Sequence, residues 1–237
     1  MPLFQKNPFT VRGHLARCWL FTYRTPPAAA QALLPPQLEA VTHGGHAFWN
    51  IVVCRIDHLR PHAIPAPLGL CYHHVAYRLH ARTHSGTEGL YFLRSDCDSA
   101  LVSLSGNLLT DFNFHTASIG IIQENTTRTS ITVSSPTAPA EAIIDRSKRP
   151  ELSWNSPFAS VSDASSFLKY KPFGLSPAGR SSTNIVAISR DESRWQSTPV
   201  SVPFASWKFL EPHDTEPELA FDVAPIDYVW NRATIGS

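Results

Sequence analysis

The sequence lacks an excess of charge of either sign, a long apolar run and an apolar targeting segment at its N-terminus. Its 20 basic and 19 acidic residues give a formal net charge of +1, and neither sign forms a long run. The basic surface that is typical of nucleic-acid-binding proteins is therefore not expected. No window reaches the ~18 consecutive apolar residues of a membrane span. We expect a cytoplasmic protein that binds neither nucleic acid nor membrane.

Several motifs that would announce a cofactor or a nucleophile are also missing. No Gly-x-Gly-x-x-Gly or Gly-x-x-x-x-Gly-Lys loop occurs, so we expect no nucleotide and no other cofactor. A Gly-x-Ser-x-Gly elbow is absent, and nothing supports a Ser-His-Asp triad. The four cysteines form no Cys-x-x-Cys pair and are interpreted as buried thiols; they are Cys18, Cys54, Cys71 and Cys97.

Eleven histidines raise the question of a metal site. The candidate groups are His43 with His46, His58 with His62, and the series His73, His74, His80 and His84. Ligands on one strand converge best when they are two residues apart, and the last series does not keep that spacing. Two histidines in a turn would need partners from elsewhere in the fold. We therefore expect scattered histidines and no metal site.

The composition favours one domain rich in β-structure. With 237 residues and 43% hydrophobic content, the chain can bury a sizeable core. Twenty prolines and 11 glycines favour short strands joined by turns, so the predicted fold class is mainly β, or α+β. We expect a single domain over residues 1–237, with a core at about residues 16–210. The acidic, proline-containing end, about residues 211–237, is predicted to form an arm.

A strand–helix–strand unit over Glu88–Ile122 is predicted at the centre of the chain. Asp98 or Ser99 can cap the helix. The leucines at 101, 104 and 108 follow at three- and four-residue spacing, so this face is predicted to pack inward. Gly106 weakens the same helix. His115 begins the second strand, at a junction that typically places side chains in a cleft.

Other elements follow from local signals along the chain. Thr25-Pro26-Pro27 starts a helix that Ala28–Leu34 continues. Two hairpins are predicted, one from 38–42 and 46–59 around a glycine pair, and one from 70–82 and 89–95. Residues 134–160 are predicted to form a long exposed loop. A final hairpin is predicted from 184–189 and 195–204.

The order of these elements, together with several short phrases, resembles the acetoacetate decarboxylase superfamily. The opening phrases Tyr23-Arg24-Thr25, Ala29, Leu34-Pro35 and Leu38-Glu39 resemble the start of acetoacetate decarboxylase without a gap. Later phrases look more like the YqjF-like uncharacterised branch; they are Gly89-Leu-Tyr-Phe-Leu93, Phe167-Leu168 with Tyr170, and Trp207-Lys-Phe-Leu210. The resemblance implies a cone-shaped, mainly antiparallel β-barrel with a few peripheral helices and a small-molecule cavity.

The resemblance also implies which chemistry has changed. Acetoacetate decarboxylase uses a lysine of depressed pKa, beside a second lysine, to form a Schiff base. That pair falls on Asn113-Phe114 or Phe114-His115, and no lysine occurs between Lys6 and Lys148. The two glutamates of the decarboxylase cavity fall approximately on Asn50 and His74, and its N-terminal arginine falls near Arg17.

Two functions remain open at this point, and the sequence does not decide whether the protein is an enzyme. The first is a cofactor-independent lyase or hydratase acting on a small carbonyl or carboxylate compound. His115 and His74 would transfer protons, Asn50 would donate to an oxyanion, and Arg17 would anchor a carboxylate. The alternative is a non-catalytic binder of a hydrophobic ligand, with aromatic surface from Phe112 and Phe114, and Trp49 beside Asn50 is the tryptophan expected to line the cavity. Exposed edge strands make a homodimer an open alternative to a monomer.

Overall fold

The computed structural model describes residues 6–169, 171–179 and 181–236, and within these ranges the protein is mainly β. Tyr170, which contributes to the family resemblance, lies outside the described residues. The strands are β1 (Val11–Thr25), β2 (Leu38–Ala40), β3 (Thr42–His43), β4 (His46–Pro61), β5 (Leu70–Thr83), β6 (Glu88–Cys97), β7 (Phe114–Thr116), β8 (Ser118–Gln123), β9 (Arg128–Ser134), β10 (Ala140–Asp145), β11 (Phe173–Pro177), β12 (Thr183–Arg190), β13 (Ser197–Trp207), β14 (Glu216–Val223), β15 (Ile226–Trp230) and β16 (Thr234–Gly236). The α-helices are α1 (Pro27–Leu33), α2 (Ala100–Leu109) and α3 (Val161–Leu168), and short 3-10 turns cover Ala66–Leu68 and Glu211–His213. None of the helices in the described ranges is long and apolar enough to cross a membrane.

Seven strands form a closed ring. The hydrogen-bonded order is β4-β5-β6-β11-β12-β15-β1, and β1 pairs with β4 to close it. Most pairings are antiparallel, whereas β6 pairs in parallel with β7 and β11. A second layer of β8, β9, β10 and β13 continues from the ring through β14. The mainly β fold class predicted from the sequence is confirmed.

The longest strands are buried on both faces, because the ring encloses one core and the second layer covers another. On β1, Trp19 and Phe21 pack toward the second layer, whereas Cys18 and Leu20 pack into the ring. A strand covered on both faces has no polar face, so its sequence reads as a continuous apolar run. This explains the aromatic and apolar segment from Cys18 to Tyr23, in which Thr22 is the one aliphatic polar residue.

Several local predictions are confirmed. Helix α1 lies where the Thr-Pro-Pro signal placed it, and the hairpin of β5 and β6 pairs as predicted. Ser99 is the N-cap of α2, since its side chain accepts a hydrogen bond from the Val102 amide. Gly44 and Gly45 adopt φ values of 55° and 81° between β3 and β4, so the glycine pair supplies the positive φ that the turn requires. The segment 38–42 divides, however, and β2 pairs with β5 rather than with β4.

The predicted orientation of α2 is wrong. Leu101, Leu104 and Leu108 are 59%, 73% and 70% exposed, and the opposite face of the helix contacts the ring. Gly106 explains this orientation, because a Cβ added there would lie 2.5 Å from the Phe114 ring. Glycine lets the helix approach Phe114 closely. The leucine spacing identified one apolar face of the helix but could not identify the face that contacts the core.

Three predictions about the second half of the chain are wrong. The segment predicted as a long loop contains β10, whose small apolar residues Ala140, Ala142 and Ile144 alternate into the core. Strands β12 and β13 do not form a hairpin, because β12 pairs with β11, β15 and β16, and β13 with β10 and β14. The segment predicted as a C-terminal arm forms β14 and β15, which pair along β1. Its apolar residues complete the core.

Candidate functional site

The interior of the ring carries a line of polar side chains on β5. Alternate residues of a strand point to the same face, so His74, Arg78 and His80 all project inward. Asn50 on β4 lies opposite Arg78 in the strand register. All four side chains are buried, with exposures of 7% or less. These four side chains form a polar centre within a ring interior that is otherwise apolar.

Arg78 is the most prominent of these groups. It is 2% exposed, and its guanidinium donates hydrogen bonds to the side-chain oxygen of Asn50 and to the Asn50 carbonyl, the latter at 3.5 Å. The guanidinium carbon lies 5.5 Å from the centroid of the Phe92 ring. Asn50 thus holds one side of the Arg78 guanidinium in place.

Four buried nitrogens in this polar centre have no hydrogen-bond partner among the residues that the structure describes: His74 Nε2, Asn50 Nδ2, and both Nδ1 and Nε2 of His80. Leaving a buried donor or acceptor unsatisfied costs about 1–3 kcal/mol each. Such groups are rare in folded proteins, and several of them together are typical of a site that binds a polar ligand or water. The polar centre of the ring therefore contains buried nitrogens whose hydrogen-bonding capacity the described residues do not satisfy.

Burial and charge keep both histidines neutral. Burial, followed by the positive charge of Arg78, lowers the pKa of His74 from 6.5 to about 3. Burial, followed by Lys171 and Arg78, lowers the pKa of His80 from 6.5 to about 3. A neutral imidazole at physiological pH offers one N–H donor and one acceptor nitrogen. His74 also lines the cavities of the ring and can hydrogen-bond a ligand there, whereas His80 packs beside Phe48 and Phe167. A general base requires a pKa nearer the working pH.

Two adjacent cavities open beside this centre. The outer cavity, of about 320 Å³, is mainly apolar, and α2 forms part of its wall through Val102, Gly106 and Leu109. The inner chamber, of about 50 Å³, is lined by Arg78 and by the thiols of Cys18 and Cys54. Five residues line both spaces: Ile56, His74, Phe92, Tyr228 and Trp230. An apolar space therefore leads directly to a small cationic chamber.

The two chamber thiols are unreactive in this setting. Cys18 lies opposite Cys54 in the register of β1 and β4. Burial raises the pKa of Cys54 to about 12, and burial together with the neighbouring Cys54 raises that of Cys18 well above its ordinary value. Because the thiolate is the nucleophilic form, neither cysteine is activated. Their contribution to the chamber is that of small apolar groups.

Three of the residues predicted for the site lie together in the ring. The imidazole of His74 stacks on Phe114, with ring centroids 5.4 Å apart and planes at 20°. Both residues line the outer cavity. Asn50 joins them through Arg78. The sequence reasoning missed Arg78 itself, although its position four residues after His74 places both on one face of a strand.

The other three predicted residues lie elsewhere. His115 is next to Phe114 on β7 and therefore projects to the opposite face, where burial and Arg94 lower its pKa while Asp96 opposes that shift. Trp49 packs between the layers, with its ring 6.3 Å from Phe209. Arg17 lines a separate groove on the outside of the ring. The structure does not bring His74 and His115 into one cavity.

The described residues that line the two cavities include no lysine. Lys171 reaches toward this end of the ring, but its ammonium contacts Glu88 at 3.1 Å and lies 5.0 Å from the Phe167 ring centroid. The inner and outer cavities therefore offer no amine for a Schiff base. Across the described ranges, no group of three or more His, Cys, Asp or Glu side chains is arranged to hold a metal ion.

Solved structures with this fold include several enzymes. An acetoacetate decarboxylase-like enzyme from Sphingomonas wittichii RW1 matches with a TM-score of 0.63 at 13% identity, over 98% of this chain and 94% of that one. Acetoacetate decarboxylase from Legionella pneumophila matches with a TM-score of 0.62 at 13% identity, over 100% and 92%. The enduracididine biosynthesis enzyme MppR, complexed with pyruvate, matches with a TM-score of 0.60 at 14% identity, over 98% and 91%. At these identities the likeness establishes the fold, and the predicted acetoacetate decarboxylase-like architecture is confirmed.

Sequence comparison then identifies the family. No curated protein matches the chain. The sequence model of DUF2071, described as an uncharacterized conserved protein (COG2071), matches residues 14–217, which is most of the chain. With its acetoacetate decarboxylase-like fold and a ring cavity lined without lysine, the chain belongs to the DUF2071 family.

Proposed function

We propose that the protein binds a small molecule inside the ring, with a carboxylate or carbonyl group at Arg78 and His74 and an apolar body in the outer cavity. The observation that carries the proposal is the pairing of an apolar space with a buried cationic chamber. A guanidinium recognises a carboxylate strongly because it offers parallel N–H donors. The unsatisfied His74 nitrogen adds a further hydrogen-bonding group beside it.

The same geometry disfavours decarboxylation through a Schiff base. That reaction needs an amine in the cavity, and the lining residues supply none. MppR, a structural neighbour, is described as complexed with pyruvate, which carries both a carbonyl and a carboxylate. A ligand of that chemical kind, extended by an apolar group, fits the two spaces found here.

Catalysis is the second candidate, because structural neighbours include enzymes. In this interpretation Arg78 and a neutral His74 would stabilise negative charge that develops on a substrate carbonyl oxygen, as preorganised donors do. Proton transfer by His74 is disfavoured by its pKa of about 3. His115, on the opposite face of the sheet, would need a cavity of its own.

A carboxylate series tests the binding proposal. Octanoate carries both an apolar body and a carboxylate, acetate carries only the carboxylate, and octanol carries only the apolar body. We expect octanoate to bind at least tenfold more tightly than either of the others in isothermal titration calorimetry. If octanol binds as tightly as octanoate, the proposed contact between Arg78 and a carboxylate is refuted. The alternative, a protein that binds an uncharged hydrophobic ligand, is then favoured. If neither octanoate nor octanol binds, the proposed site is refuted.

Variants locate the binding within the ring. Arg78→Met removes the guanidinium, and we expect it to reduce octanoate affinity about tenfold or more, because a hydrogen bond to a charged group contributes about 1.5–3 kcal/mol. The matched control is Arg82→Met on the same strand, where the arginine is exposed and pairs with Glu39. If Arg78→Met does not fold, Ser105→Leu offers a second test, since Ser105 lines the outer cavity, is only partly buried and would narrow that cavity as a leucine. Incubation of 2-oxooctanoate with the protein, followed by NMR, detects turnover if the protein is an enzyme.

A further inference from the structure

A second groove lies on the outside of the ring, separate from the cavity proposed above. It has a volume of about 440 Å³, and its lining residues come from β1, β8, β9, β13, β14 and the ends of the neighbouring strands. Arg17 and Trp19 line it from β1, while Cys18 between them faces into the ring. The alternation of the strand therefore places this groove and the inner chamber on opposite sides of the same sheet.

Two guanidinium groups line the groove. Arg17 is exposed and makes no hydrogen bond or ion pair among the described residues. Arg146 is held in place, because its Nε donates to Asp222 at 2.5 Å and its Nη1 donates to the Thr129 hydroxyl at 3.0 Å. Neither of these contacts uses Nη2. The position of the second guanidinium is thus fixed while part of it remains able to donate.

The indole of Trp19 lies beside these guanidinium groups and is an independent sign of a missing partner. The residue is 2% exposed and lines the groove, and among the described residues its buried indole Nε1 has no hydrogen-bond partner. An indole N–H can only donate, so its missing partner is an acceptor. The guanidinium carbon of Arg146 lies 5.9 Å from the centroid of the same indole ring. An acceptor bound beside Arg146 would therefore lie close to Trp19.

The charge of the groove favours an anion. Its lining residues carry two guanidinium groups and one carboxylate, and that carboxylate already pairs with Arg146. Arg55 lies opposite Arg17 in the register of β1 and β4 but pairs with Asp57 at 2.9 Å, so the uncompensated charge beside the groove is that of Arg17. Arginine recognises both carboxylates and phosphates through its forked donors. Arg17 was predicted from the sequence to anchor an anion in the ring cavity, and it lines this outer groove instead.

We propose that this groove is a second binding site, which takes a small organic anion through its carboxylate or phosphate group. Arg17 and Arg146 donate hydrogen bonds to that group, which lies beside the Trp19 indole. The remaining volume accommodates the rest of the molecule against Val200 and Pro225. The site is independent of the ring cavity, because the two share no lining residue.

The indole resonance of Trp19 provides a direct test. In a two-dimensional ¹⁵N–¹H spectrum each tryptophan indole gives one signal, and Trp19→Phe assigns the relevant one by its loss. Inorganic phosphate and acetate are titrated separately at constant ionic strength. We expect at least one of them to shift the Trp19 signal saturably, and the anion that does so identifies the preferred group. A Trp19 signal that does not respond to either anion would overturn the proposal.

Arginine variants establish that the response belongs to the groove. We expect Arg17→Ala to weaken the affinity about tenfold or more, because one charge-assisted hydrogen bond is lost. Arg12→Ala, which removes an exposed arginine of the same strand outside the groove, is the matched control and leaves the affinity unchanged. Equal affinities in all three proteins would refute the assignment. Arg78→Met is expected to weaken octanoate binding in the ring and to leave the Trp19 response to acetate and phosphate unchanged, because Arg78 lines the inner chamber and not the groove, so failure of this site is distinguishable from failure of the proposed function.

Discussion

Acidification is expected to destabilise the protein through two buried histidines, His74 and His80. The pKa of each is about 3 in the folded state and 6.5 when the group is exposed. Between these values the unfolded chain binds more protons than the folded one, so stability falls as the pH falls from about 6.5 toward 3. Above pH 6.5 the two groups are neutral in both states and the effect disappears.

The expected size follows from the same values. One proton taken up by the unfolded state changes the free energy of unfolding by about 1.4 kcal/mol per pH unit. From pH 7 to pH 5 each histidine accounts for about 2 kcal/mol, and the pair for about 4 kcal/mol. Domains typically have about 5–15 kcal/mol of stability in total. Moderately acidic buffer therefore removes a large share of the stability.

Urea unfolding at several pH values, followed by tryptophan fluorescence, measures this loss. His80→Phe replaces one titrating ring with an apolar ring, beside Phe48 and Phe167. We expect the loss between pH 7 and pH 5 to shrink by about 2 kcal/mol in this variant. His84→Phe, at an exposed position in the turn after β5, is the control and keeps the loss of the natural protein.

An equal loss in His80→Phe and in the natural protein would refute the reasoning. His80→Leu is the second variant if the phenyl ring does not fit. An NMR titration of the imidazole carbons supplies a direct measurement, and a His74 or His80 ring that titrates near pH 6.5 in the folded protein would refute the burial argument as well.

Two further predictions concern the orientation of helix α2 and the buried ion pair of Arg94 and Asp96. Leu104→Ser is expected to change the free energy of unfolding by less than about 0.5 kcal/mol, because the Leu104 side chain is 73% exposed. Urea unfolding measures this change. A loss of about 2 kcal/mol or more would contradict the orientation of the helix. Asp96→Asn breaks a buried ion pair in which Arg94 donates to both carboxylate oxygens, at 2.8 and 2.7 Å. Removing one partner of such a pair typically costs about 3–5 kcal/mol, which the same assay detects, whereas a neutral result would show that the pair is hydrated.

The local elements could be predicted from the sequence because their signals are local. The Ser99 cap, the Gly44-Gly45 turn and the β5–β6 hairpin each depend on a few neighbouring residues. The C-terminal strands could not, because their acidic and proline-containing start resembles a linker. They become strands by pairing with β1, a partner nearly two hundred residues away.

The candidate site was predicted only in part for a similar reason. His74 and Phe114 were identified, and the structure stacks them in one cavity. Arg78 was missed, because an arginine within a strand pattern is ordinarily a solvated residue. Its burial depends on the closure of the ring, which no local pattern encodes. Arg17 was identified for its chemistry, but the alternation of β1 turns it away from the ring.

The pairing of β1 with β4, β14 and β15 also bears on how the chain folds in time. The first long strand cannot complete its hydrogen bonds until segments from the far end of the chain reach it. Folding rates fall as contacts become more distant in sequence, because closing a long loop costs entropy before the contact forms. During synthesis, the apolar β1 is made before the other strands, and its backbone hydrogen bonds are completed only when β14 and β15 have been made. We expect slow folding, and a need to shield this strand while the ribosome finishes the chain.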